Sequence, residues 1–182
     1  PILPNMQDDL NLSSTMMGII SSYNYFGYLV GSIISIVWKF KNFKNVIVVA
    51  SICTVITIYL MGLTKDLKIF MALRFLCGIS SAFAFVFTIS LMFNFFKDMK
   101  NKTLQLYHFC GIGFGIFIGT VIVWVISTSH LFWNHQWISI GFIGILLCIP
   151  IFFYTPKHLF LPTDKSDPIK NKFKLDFFTI TF

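Results

Sequence analysis

Five apolar blocks, each set off from the next by a short polar stretch, dominate this chain. They run roughly from Leu12 to Trp38, Asn45 to Leu63, Ile69 to Phe96, Thr103 to Ser129 and Gln136 to Thr155. About 20 apolar residues suffice to cross a bilayer as a helix, so each block predicts one spanning helix. Ahead of the first block, PILPNMQ (1–7) carries two prolines and a polar exit, which predicts the last turn of an earlier helix. After the fifth, PKHLFLPTDKSDPIKNKFK (156–174) is polar and punctuated by proline, the pattern of a linker. LDFFTITF (175–182) then turns apolar again and predicts the start of a seventh helix. The expected organisation is therefore a bundle over 1–155, a linker over 156–174 and a helix beginning at 175.

Composition supports the membrane reading. Hydrophobic residues make up 56% of the chain and charged ones only 12%, too few to cover the surface of a soluble domain. No glutamate is present, and the acids are seven aspartates. The expected fold class is an all-α polytopic membrane protein. Its four cysteines, Cys53, Cys77, Cys110 and Cys148, all fall inside apolar blocks without a CxxC pair, so neither a disulfide frame nor a metal site is expected. The chain begins with proline and shows no signal peptide, which suggests a fragment lacking most of a first helix.

The lysines divide unevenly between the two ends of the blocks. Lys39, Lys41 and Lys44, then Lys97, Lys100 and Lys102, then Lys157, Lys165, Lys170, Lys172 and Lys174 fall on one side if every block spans. The other side holds Lys65 and Lys68 with Asp8, Asp9 and Asp66. By the positive-inside rule the lysine-rich loops are expected in the cytoplasm. The net charge of +7 then marks one membrane face, opposite lipid headgroups, and gives no reason to expect a nucleic-acid partner. Trp38 at one edge, and Trp133 and Trp137 at the other, fit aromatic belts at the interfaces.

Arg74 stands out, because it is set inside the apolar run IFMALRFLCGISSAFAF (69–85). It lies about 9 Å along its helix from Lys68, at 1.5 Å rise per residue. Two environments suit an arginine at that depth: a water-filled cavity within the bundle, or the bilayer surface reached by snorkelling. Gly78, Ser81, Ala82 and Phe85 share its helical face. That stripe admits a neighbouring helix or leaves room for a solute.

In YHFCGIGFGIFIGT (107–120), Gly111, Gly115 and Gly119 recur every four residues, a close-packing pattern. His108, one turn earlier, titrates near neutral pH and suits either a proton carrier or a hydrogen bond to a neighbouring helix. In SSYNYFGYLVGSIIS (21–35), Gly27 and Gly31 form GxxxG, while Asn24, Tyr28, Gly31 and Ser35 share a face. Asn24 and Tyr28 suit a cavity lining or a tie between helices equally well. Trp137, Gly141 and Gly144 share a face suited to packing, and Pro150 is placed to kink the last full helix. There is no Walker loop, GxSxG, HExxH or run of paired carboxylates, and no carboxylate lies inside a full span. Enzymatic chemistry and a cofactor are therefore not expected.

The run from Arg74 to Ala82 resembles the RxxxGxxxA motif of the fourth helix in the major facilitator superfamily. LPNMQ (3–7), SSYNYFGYLVGS (21–32), RFLCGISSAFAFVF (74–87), HFCGIGFGI (108–116) and the pattern of Trp133, Trp137, Gly141 and Pro150 are similar to its YbfB/YjiJ-type subgroup, in the right order. The resemblance implies a twelve-helix secondary transporter working by alternating access, with this chain as most of its N-terminal six-helix half. It implies that Arg74 faces a central solute cavity, and that the partners are a small solute, membrane lipid and the C-terminal half of the same chain. Two departures stand beside it. The loop after Gly31 keeps lysines but lacks the superfamily's acid and second glycine, and the fifth helix lacks the Gly-Pro of the antiporter motif. The readings in competition are a solute transporter of the inner membrane, a non-transporting six-helix scaffold and an intramembrane enzyme. The scarcity of ionisable residues counts against the last.

Overall fold

The computed structural model describes residues 2–38, 40, 42–96, 103–128 and 132–154. The predicted linker (156–174) and seventh helix (175–182) lie outside the described residues. Six helices follow in order: α1 (Leu3–Leu10), α2 (Ser14–Val37), α3 (Phe43–Met61), α4 (Leu67–Phe96), α5 (Thr103–Thr128) and α6 (Trp133–Tyr154). Among the described residues, α2 to α6 are each long and apolar enough to cross a membrane. No strand occurs among them.

Local chemistry sets the helix ends. Ser13 caps α2 by accepting the Met16 N–H at 3.2 Å, and Asn42 caps α3 by accepting the Asn45 N–H at 3.3 Å. Asp66 does the same for α4, its carboxylate 2.8 Å from the Lys68 N–H. The helix α1 runs three residues beyond the predicted last turn. It ends at Asn11, whose left-handed backbone (φ 50°) lets its N–H reach the Asp8 and Gln7 carbonyls. Asp8 and Asp9 thus belong to a helix rather than to a loop.

The packing is chain-like. The helix α4 lies between α2 and α3, α3 lies between α4 and α6, and α5 touches α6 and α4 more lightly. Glycines bring the partners close. A Cβ added at Gly27 would strike the Phe75 carbonyl of α4, and one at Gly78 would strike the Asn24 carbonyl of α2. Gly31 lies against Ile79 and Ala82, whose atoms would sit 2.8–2.9 Å from an added Cβ. On α6, Gly141 and Gly144 meet Tyr59 and Val55 of α3 in the same manner. Such small-residue contacts let backbones approach where no hydrophobic effect drives helices together.

Several hydroxyls inside the spans are satisfied within their own helices. Ser21, Ser22, Thr54, Thr57 and Thr120 each donate to a carbonyl four residues back at 2.9–3.0 Å. Ser81 donates to the Gly78 carbonyl at 2.9 Å. The main buried core collects Met6, Met17, Ile20, Met61, Phe70, Val123, Trp133 and Trp137 from all six helices. It lies where α6 begins, at the end of the bundle opposite Lys44.

Candidate functional site

The guanidinium of Arg74 is half-buried within the bundle and lies over two aromatic rings. Its carbon stands 4.7 Å from the Trp137 ring centroid and 5.7 Å from that of Phe70. Cation–π attraction supports such a placement, most strongly over tryptophan. The rings are themselves braced: Phe70 meets Trp133 and Trp137 edge-on, with centroids 6.3 and 5.7 Å apart. Trp133 and Trp137 are buried, at 4% and 6% exposure, so the belt expected of them at the interface is corrected to a shelf inside the bundle. Trp38, by contrast, is exposed at the end of α2.

No acid neutralises Arg74 among the described residues. Asp66 caps α4, and Asp9 accepts the Trp133 backbone N–H at 2.9 Å. Its Nε is buried without a hydrogen-bond partner. Two other side chains share that condition among the described residues: Trp137, at Nε1, and Gln136, at both ends of its amide. Gln136 is fully buried. It sits on the face of α6 that carries Trp133 and Trp137, at the i, i+3, i+4 spacing. By sequence alone it marks only the beginning of the last apolar block. The available signal was a polar amide flanked by two tryptophans on one face.

The remaining candidates lie elsewhere. Asn24 and Tyr28 are half-buried on α2, beside the Gly78 contact. Tyr28 leans on Phe85 of α4, with ring centroids 6.5 Å apart. Gly78, Ala82 and Phe85 therefore serve the contact of α4 with α2. His108 is on α5, but its side chain lies outside the described residues. Gly111, Gly115 and Gly119 face open space, since a Cβ added at any of them meets nothing within 4 Å among the described residues. A cavity of about 380 Å³ opens between α3 and α4, lined by Phe40, Val46, Val49, Ala50, Ile79 and Phe83. It is apolar and holds none of the candidates.

The family model described as "Uncharacterised MFS-type transporter YbfB" matches residues 1–173. The chain belongs to the major facilitator superfamily. No curated protein and no solved structure matches it. Membership makes this a multi-pass membrane transporter and accounts for the all-helical bundle. Arg74 is a half-buried arginine within a spanning helix of this chain. Here the rings of Phe70 and Trp137 lie against it.

Proposed function

We propose that the protein is a secondary active transporter that moves a small solute by alternating access, coupled to an ion or a proton. The site lies around Arg74, with Asn24, Tyr28 and His108 lining the path. The lysine-rich loops face the cytoplasm, the membrane is the inner membrane, and a C-terminal half of the same chain completes the cavity. The observation that carries the reading is an arginine inside a spanning helix of a transporter-family chain, turned onto Trp137 with no acid beside it among the described residues. A charge held at such depth is costly and persists where it serves a pathway. Alternating access rocks one half against the other, so one half alone has nothing to rock against.

The test is reconstitution of the protein from its native membrane in proteoliposomes, with solute counterflow as the readout. The expected result is saturable exchange that vesicles holding residues 1–182 alone do not show. Exchange by residues 1–182 alone would remove the two-half mechanism. An intact mass for the native protein near this chain's own 20.9 kDa would count against it as well.

A further inference from the structure

Among the described residues, the buried side-chain nitrogens and oxygens without a partner come from Arg74, Trp137 and Gln136. Arg74 and Trp137 are in contact, and Gln136 adjoins Trp137 on the same buried face of α6. In a bundle where Ser21, Thr54 and Thr57 bond carbonyls of their own helices, these groups are conspicuous. A buried polar group that lacks a partner loses its hydration without replacement, and a charge loses most. Two unpartnered groups in contact, Arg74 and Trp137, point to a ligand, and the unpartnered Gln136 shares the Trp137 face of α6.

The donors define that ligand. Guanidinium and indole N–H groups only donate, and the Gln136 amide offers two further N–H donors with one acceptor. The set is rich in donors and carries one positive charge with no acid to balance it among the described residues. Its complement is a small anion rich in acceptors. A guanidinium fork matches a planar carboxylate at two points, which a spherical inorganic anion cannot exploit. The Trp137 ring, 4.7 Å from the guanidinium carbon, fixes the direction of the fork and adds an apolar surface for the rest of the solute.

We infer that the transported solute is a small organic carboxylate, and that Arg74, Trp137 and Gln136 recognise it. This rests on the transporter reading above, and it assigns recognition to Trp137, which the sequence placed in packing, and to Gln136, which the sequence did not single out.

The experiment measures thermal unfolding of the purified full-length protein with acetate, lactate, succinate or benzoate added as sodium salts. Sodium chloride at matched ionic strength, tetramethylammonium chloride and glucose are the comparisons. A ligand that binds only the folded form raises the midpoint in proportion to its saturation. At least one carboxylate is expected to raise the midpoint saturably, with no comparable rise from the other three. Arg74→Gln is expected to weaken that binding by at least about tenfold, as loss of a charged hydrogen-bond partner does. Arg74→Lys keeps the charge and Trp137→Phe keeps the ring, so both guard against a variant that fails to fold; each is expected to weaken binding by less than Arg74→Gln does.

No response to any carboxylate would overturn the inference, as would an undiminished response in Arg74→Gln or an equal response to chloride. Counterflow separates the two readings. Exchange of glucose or tetramethylammonium without a carboxylate response would leave a transporter and remove this assignment. A carboxylate response without exchange of that carboxylate would keep the binding site and remove the transport reading.

Discussion

The backbone N–H of Trp133 donates to the Asp9 carboxylate at 2.9 Å, joining the end of α1 to the beginning of α6 across 124 positions of sequence. The contact gives a partner to one of the free N–H groups at the α6 N-terminus and sets a negative charge against the positive end of that helix. It also holds Trp133 in place, and through Phe70 the shelf beneath Arg74. A second tie runs parallel to it, with the Asn5 amide donating to the Ser127 hydroxyl of α5 at 2.8 Å. These two polar contacts fasten α1 to the helices that follow late in the chain.

Asp9→Ala is therefore expected to destabilise the bundle by roughly 1–2 kcal/mol, the range for loss of a helix N-terminal partner. Asp9→Asn keeps an acceptor and should lose less. Thermal unfolding of the purified protein in detergent checks both. Equal stability of Asp9→Ala and the parent would mean that the contact holds nothing together.

Gly78 offers a sharper contrast with Gly115. A side chain at Gly78 runs into the Asn24 carbonyl and the Tyr28 backbone, neither of which can move without shifting α2 as a whole. Gly78→Val should cost roughly 3 kcal/mol or more, beyond ordinary overpacking because backbone rather than side chain must yield. Gly115→Ala meets nothing in this bundle and should change its stability by less than about 0.5 kcal/mol. Folded yield and unfolding midpoint report both changes. If Gly115→Ala instead lowers the stability of the full-length protein as Gly78→Val does, its face is covered by a part of the protein outside the described residues.

That pair also marks the reach of the sequence. The five spans were legible to within about three residues, because an unbroken apolar run of helix length has few other uses. The spacing of Gly27 and Gly31 is the same as that of Gly111 and Gly115. Spacing states that a helix has a smooth face, and only the assembled bundle states whether a neighbour lies on it. Trp133 and Trp137 looked like interfacial anchors for a similar reason: their place near a block's edge was visible, while Phe70 and Arg74, which cover them, lie more than 50 positions away. Gln136 escaped because an amide at the start of an apolar block reads as its polar boundary. Its burial depends on helices distant in sequence.

The distribution of lysines predicts the orientation, and labelling can test it. With the four native cysteines replaced, a cysteine at Lys65 should react with a membrane-impermeant maleimide added to intact cells. A cysteine at Lys41 should react only after the membrane is opened. The rule behind this depends on lysine counts in short loops, which here favour one side by eleven to two. The reverse labelling pattern would invert the whole topology and place the Arg74 shelf near the cytoplasmic face.

Replacement of Arg74 bears most directly on the proposed transport. Arg74→Ala removes a charge that no acid balances among the described residues, so insertion and folding should survive and can even improve. Counterflow should fall to background in the same protein. A simple lipid-surface anchor behaves otherwise: its loss perturbs insertion and leaves exchange near the parent value. Arg74→Lys divides the possibilities further. Lysine restores the charge without the planar fork or its stacking over Trp137, and should recover part of the exchange at a raised half-saturating concentration. Full recovery by lysine would show that charge alone matters at this position, and the Trp137 shelf would then be a matter of packing.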